Sequence, residues 1–467
     1  MAILSINPAT EEQLAAFEEF TPEQIERAVA GAHETFEEWA ASSFNRRADM
    51  LLQAARYLRR NRDRFARLMT LEMGKPIVES EAEVDKCAWV CEYYAENVER
   101  FLSPEPVSTN ARESYVAYEP LGVVLGIMPW NFPFWQVFRF AVPTLAAGNT
   151  VLLKHASNVP QCSLAVEQVF RESGLPEGAF RSLLVGGKAV ASIIEDRRVR
   201  AVSLTGSSTT GAEVAGLSGR AIKKTVLELG GSDPFIVLAD ADLPAAASMA
   251  ARARFINSGQ SCIAAKRFIV VEEVAEEFER LFVEEASTYK VGSPLDRDTK
   301  VGPLARADLR DALDAQVKRT VEQGARVALG ATRIGNRGYF YAPTVLTHVS
   351  PDMVAACEET FGPVAAVIRV EDPDQAIRVA NDTVYGLGAN LWTRDIEQAR
   401  RLARRIQAGS VFINGMVASD PRLPFGGVKM SGYGRELSVF GIREFVNIQT
   451  VWIGPAQGPQ MPPPRVE

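Results

Sequence analysis

At 467 residues the chain is too long for one simple core and suggests two or three domains. Hydrophobic residues make up 47% and charged residues 23%, and 51 basic against 58 acidic residues leave a net charge of -7, so neither nucleic acid nor an acidic membrane is an expected partner. Five cysteines without a C-x-x-C pair argue against a dense disulfide framework and for a reducing cytoplasm, and His33, His155 and His348 lack the spacing of a zinc site, so no metal is expected.

Met1 to Asn7, followed by Pro8, lack the basic region, apolar core and cleavage site of a secretory signal. From about Pro22 to Asn97 the periodicity is helical, which predicts an opening helical layer. Six arginines between Arg56 and Arg67 alternate with Leu58 and Phe65 and read as a solvated helix face. Val116 to Ile127 reads as strands. Leu121 to Phe138 is apolar enough to suggest a membrane span, but Pro129, Asn131, Pro133 and Gln136 interrupt it, so strand, loop and helix start is the reading.

Pro133 to Ala147 then reads as a helix, Thr150 to Lys154 as a short strand and Ser163 to Ser173 as a helix ending at Gly174. Ser182 to Val185, Val199 to Thr205 and Lys224 to Leu229 read as buried strands between helical stretches. A second alternating series runs from Phe235 to about Asn414 through Phe268 to Val271, Val364 to Val370 and Val411 to Asn414. Alternation of this kind implies parallel sheets covered on both faces, and two α/β domains are the economical reading. Pro455 to Glu467, with five prolines, reads as a flexible tail.

Four short tracts carry residue types suited to chemistry. Cys262 ends Asn257-Ser258-Gly259-Gln260-Ser261-Cys262, where a Gly-containing turn presents a thiol; taken alone it reads equally as a buried structural cysteine. Glu228, in Leu227-Glu228-Leu229-Gly230-Gly231, is either an outward residue at a strand end or a buried carboxylate whose raised pKa suits a general base. Pro129-Trp130-Asn131-Phe132-Pro133 fixes an amide that could donate to an oxyanion. Thr205-Gly206-Ser207-Ser208-Thr209-Thr210-Gly211 follows an apolar strand and offers a Gly-containing turn for a phosphate, although it is not G-x-G-x-x-G.

Together with Glu358-Glu359-Thr360-Phe361-Gly362-Pro363, and with Pro424-Phe425-Gly426-Gly427 continuing to Gly434-Arg435-Glu436, these tracts make the chain resemble the aldehyde dehydrogenase superfamily from about Ser5 to Val451. Within it the chain is most similar to the succinate-semialdehyde dehydrogenases. The resemblance implies an α/β fold with a Rossmann-like cofactor domain (1–113 and 125–229), an α/β catalytic domain (230–440) and a small β oligomerisation arm (114–124 and 441–454). It also implies a homodimer or homotetramer. The arm is expected to pair a hairpin near Ser114 to Val124 with a strand near Phe445 to Trp452.

By the same resemblance Cys262 is the nucleophile, Asn131 and the Cys262 backbone N–H hold the alkoxide, and Glu228 activates the water that hydrolyses the thioester. Glu359 would hold the nicotinamide ribose, Phe361 would pack near the ring, Trp130 and Lys154 would contact the adenosine half, and Gly206 and Ser207 would meet the pyrophosphate. Ser157 stands where many NAD-preferring relatives place Glu; a small donor beside Lys154 admits a 2′-phosphate, so NADP is the expected cofactor and NAD the second option.

Arg139 matches a position that grips the distal carboxylate in similar semialdehyde enzymes, with Trp135, Ser261 and Ser419 as neighbours, which points to succinic semialdehyde as substrate. Glutarate semialdehyde, one methylene longer, stays open, as does a cofactor-independent cysteine esterase. Ile263 and Ala264 give Cys262 no adjacent thiol, so a neighbouring disulfide switch is not expected.

Overall fold

Thr21 starts the helical layer through a capping box, its hydroxyl accepting from Gln24 N while the Gln24 side chain accepts from Thr21 N, with Pro22 in the first turn. The structure, a computed structural model, describes residues 2–454. The tail expected from Pro455 onward lies outside the described residues. Helices Pro22–Ala40, Phe44–Arg60, Arg62–Met73 and Ile77–Leu102 build the layer. The arginine-rich stretch is solvated as expected, with Arg56, Arg59, Arg60, Arg64 and Arg67 exposed, but it spans two helices, because Asn61 ends the second and begins the third. Its arginines tie the layer together: Arg59 pairs with Glu92, and Arg62 with Glu81 and Asp85. An N-terminal hairpin, Ala2–Ile6 with Gln13–Glu18, has no counterpart in the sequence reading.

Six strands form the first sheet in the order Gly432–Tyr433, Lys224–Glu228, Val199–Thr205, Val123–Met128, Thr150–His155, Phe180–Ser182. All pair in parallel except Gly432–Tyr433, which lies antiparallel against Glu228 and Leu227. Phe180–Ser182 begins and ends earlier than the expected Ser182 to Val185.

Seven strands form the second sheet: Arg326–Leu329, Thr344–Thr347, Val364–Val370, Arg267–Val271, Pro234–Val237, Gly388–Trp392, Ser410–Ile413. Only its edge strand Arg326–Leu329 is antiparallel. Along it, Phe235 and Val237 pack towards one layer of helices while Ile236 and Leu238 pack towards the other, which explains the uninterrupted apolar runs.

Val446–Ile453 pairs with Glu113–Pro120, which also pairs with Glu105–Pro106. The first half of the arm is therefore one strand and not a hairpin, since after Gly122 the chain enters the six-stranded sheet at Val123. Among the described residues no helix is long and apolar enough to cross a membrane.

Candidate active site

The first sheet offers the carboxyl ends of its strands to the site, and the second offers segments entering the amino ends of two of its own. Pro129–Pro133 follow Val123–Met128, Gly206 and Ser207 follow Val199–Thr205, and Glu228 closes Lys224–Glu228. Cys262 lies just ahead of Arg267–Val271, and Glu359 and Phe361 just ahead of Val364–Val370. Trp130, Asn131, Gly206, Ser207, Cys262, Glu359 and Phe361 all line one cavity of about 200 Å³.

The Cys262 loop is held in a strained shape. Asn257 and Ser258 both have left-handed backbones (φ 52° and 55°), and Gly259 follows at φ 74°. A Cβ at Gly259 would stand 2.3 Å from the Gly362 carbonyl, so only glycine fits there. Several buried groups fix the shape. The Asn257 N–H donates to Glu79 (2.7 Å), and its side-chain amide donates to the carbonyls of Asn131 (2.7 Å) and Gln260 (3.0 Å). Arg254 donates to the Gly259 and Gly362 carbonyls (2.6 Å each). Lys266, wholly buried, donates to the carbonyls of Ser261, Cys262 and Ala264.

Cys262 itself is half-buried, whereas Cys87, Cys91 and Cys162 are buried and Cys357 is exposed. Burial pushes the Cys262 thiol up to about 12, against the opposing pull of Arg139 and Lys266. Asn131 donates one amide N–H to Gln260 O (3.1 Å), which leaves its second N–H uncommitted. The backbone N–H of Cys262 has no backbone or side-chain acceptor among the described residues.

Glu228 is 2% exposed, and neither of its oxygens has a hydrogen-bond partner among the described residues. Burial, reinforced by Glu436, holds it well above the usual carboxylate range. It does not line the cavity of Cys262, although Leu229 and Gly230 beyond it do. Its side chain faces Gly426, whose φ of 154° and missing Cβ make the space; a Cβ there would stand 2.7 Å from Glu228 Oε1.

The Trp130 and Phe361 rings meet edge to face at 5.8 Å, and both line the cavity of Cys262. Glu359 accepts from Gly231 N (3.0 Å). Ser207 caps the helix Ser208–Arg220 by accepting from Thr210 N, and no acidic residue occupies that helix's first turn, which suits a pyrophosphate. Lys154, half-buried near the end of Thr150–His155, forms no ion pair among the described residues, and Ser157 is exposed two residues beyond that strand. His155 braces this corner: its ring contacts the Pro133 carbonyl (2.8 Å) and accepts from Ala156 N, while burial pushes its pKa down to about 4 and keeps it neutral. These groups fit a dinucleotide carrying an extra phosphate.

The substrate residues divide. Trp135 Nε1 donates to Ser419 Oγ (3.1 Å), and both line a second cavity of about 650 Å³. Ser261 is buried and lines neither cavity. Arg139 is 2% exposed; its Nη2 has no hydrogen-bond partner among the described residues, while it is stacked over Phe425 and ion-paired through Nε with Glu436. Burying an arginine requires such a partner. The sequence reading passed over Lys266, Arg254, Glu79 and Lys86, although a lysine inside an apolar tract, as in Ile263-Ala264-Ala265-Lys266, is a usable signal.

The aldehyde dehydrogenase family model matches residues 1–451. A succinate-semialdehyde dehydrogenase [NADP(+)] of Mycobacterium tuberculosis is 50% identical over 456 residues, covering 97% of this chain and 100% of that one. A succinate semialdehyde dehydrogenase [NAD(P)+] of Escherichia coli is 48% identical over 449 residues, covering 96% and 97%. The crystal structure of succinic semialdehyde dehydrogenase from Streptococcus pyogenes with NADP+ superposes with a TM-score of 0.95 at 37% identity, over 97% of this chain and 100% of that one.

Proposed function

The chain belongs to the aldehyde dehydrogenase family, and on that premise we propose that it oxidises succinic semialdehyde to succinate with NADP as hydride acceptor. The observation that carries the chemistry is one cavity shared by a half-buried thiol and an amide with a free N–H, with an unbonded, buried carboxylate one residue behind its wall.

Cys262 as thiolate attacks the aldehyde carbon, and the alkoxide is received by the uncommitted N–H of Asn131 and the Cys262 backbone N–H. A thiol at about 12 is a poor nucleophile, so binding of cofactor and substrate must favour the thiolate, helped by Arg139 and Lys266. When bound, NADP supplies the hydride acceptor. Glu359 and Phe361 orient the reacting ring, while Ser207, Lys154 and Ser157 hold the phosphates. The Cys262 thioester is then hydrolysed by water that Glu228 deprotonates. No hydrogen bond holds Glu228 against Gly426, so its side chain is free to turn towards the thioester, and its raised pKa suits a base.

The test is NADPH or NADH formation at 340 nm with succinic semialdehyde, the two cofactors supplied in parallel at equal concentration. Faster turnover with NADP is expected. Turnover with NAD alone overturns the roles of Lys154 and Ser157, and no turnover with either overturns the substrate. Ester hydrolysis at equal speed without cofactor would instead favour the esterase reading.

In this reading the six-stranded sheet belongs to the cofactor-binding domain, the seven-stranded sheet to the catalytic domain, and the three-stranded sheet to the oligomerisation arm. Val446–Ile453 is that sheet's outer strand and exposes Ile448, Trp452 and Ile453, an unpaired apolar edge suited to a second copy in a homodimer or homotetramer. Five free cysteines accord with a reducing cytoplasm.

A further inference from the structure

The cavity of about 650 Å³ lies across the Asn131–Phe132 step from that of Cys262: Asn131 lines the smaller one, and Phe132 and Trp135 line the larger. Its half-buried cation is Lys86, on the helix Ile77–Leu102. The Lys86 ammonium lies 4.4 Å from the centre of the Trp135 ring and donates to Ser419 Oγ at 2.8 Å. Ser419 Oγ also accepts from Trp135 Nε1 at 3.1 Å. Both lone pairs of that hydroxyl are then taken, and its own proton is left to donate.

No carboxylate answers Lys86. Glu83 accepts from the N–H groups of Phe134 and Trp135 and pairs with Lys75, Asp420 pairs with Arg422, and Arg139 pairs with Glu436. Lys86 itself forms no ion pair among the described residues. Burial, with Arg139 as a like charge, pushes its pKa down to about 8, against the opposing pull of Glu83 and Asp420. At the rim, Arg252 and Lys300 are exposed.

We propose that Lys86 is a specificity-determining residue, its ammonium and the Ser419 hydroxyl together binding the carboxylate at the far end of the substrate, with Trp135 holding both donors in place. The assignment rests on the reading of the substrate as an ω-carboxy aldehyde. It adds to Arg139, whose guanidinium meets Glu436 through Nε alone, a second cation whose partner must come from outside the protein.

The test compares kcat/KM for succinic semialdehyde with that for butanal, an uncharged aldehyde of equal length, in wild type, Lys86→Met and Lys86→Arg at saturating NADP. In Lys86→Met the ratio of the two values falls by about 10- to 100-fold, chiefly through KM for the semialdehyde, as for a lost charged hydrogen bond. Inhibition by succinate weakens in parallel, and Lys86→Arg recovers part of the ratio. An unchanged ratio in a folded Lys86→Met overturns the role of Lys86 alone. A wild type that prefers butanal, or has no preference, overturns the substrate reading and the role of Lys86 together.

Discussion

Two buried regions treat their carboxylates in opposite ways. In the opening helical layer Glu72 accepts from Ser5 Oγ, Gln161 N and Cys162 N, and Glu83 accepts two backbone N–H groups and pairs with Lys75. At the end of Lys224–Glu228, Glu228 is as deeply buried and has nothing. A carboxylate that serves the fold is saturated with donors, because leaving it bare costs about 1–3 kcal/mol or more. One left bare is kept for another use. The contrast separates structural from reactive groups where burial alone does not.

The largest expected effect bears on the reactive side. Cys262→Ala loses at least ~10⁴-fold of dehydrogenase turnover while NADPH binding, followed by fluorescence, persists; retained turnover would remove the thiol from the chemistry.

Glu228→Gln lowers turnover by about 10²- to 10⁴-fold. A burst of NADPH should survive in stopped flow, since the acyl-enzyme forms but hydrolyses slowly. Stability gives an independent readout with a definite sign. The folded pKa of Glu228 is raised, so wild type is at its best where the carboxyl is protonated and loses stability as the pH climbs above about 4.5 towards that raised value. Glu228→Gln escapes that loss, and its advantage in Tm over wild type should widen with pH across the window. A constant difference would mean that Glu228 is hydrogen-bonded after all.

Arg139→Leu tests the structural side. It strands Glu436 without its partner, at a cost of about 3–5 kcal/mol in urea unfolding. A folded variant of wild-type stability, changed only in KM for the semialdehyde, would make Arg139 the carboxylate clamp. The smallest effect comes from adding a carboxylate of a third kind, solvated and facing ligand. Ser157→Glu should cut the NADP to NAD ratio of kcat/KM by at least about tenfold, through repulsion of the 2′-phosphate at Lys154.

What the sequence made legible was local. Pro129 to Pro133, Thr205 to Gly211 and Leu227 to Gly231 each stand at the carboxyl end of a strand readable from its own apolar run, so strand, turn and site residue come in one stretch. Asn61 as a helix boundary and the earlier start of Phe180–Ser182 are errors of edge. The larger omissions are long-range. Nothing near Arg139 in the sequence announces that Glu436 will neutralise it, and nothing near Lys86 announces Ser419. The arm was misread for a related reason: Glu113–Pro120 and Val123–Met128 look like one hairpin, and only the partners they find place them in different sheets.

The pairing of Gly432–Tyr433 with Leu227 and Glu228 also sets an order of assembly. Sheet edges can form as the chain emerges, but the strand that carries the carboxylate is flanked on its outer side only by a segment made almost last. Contacts so distant in sequence form late, after the local ones have reduced the cost of closing the loop. The thiol, made 170 residues before Gly432 in a chain of 467, therefore waits through a little over a third of translation beside an unfinished wall. The nascent chain holds a nucleophile without a completed site, and competence arrives with the final strands.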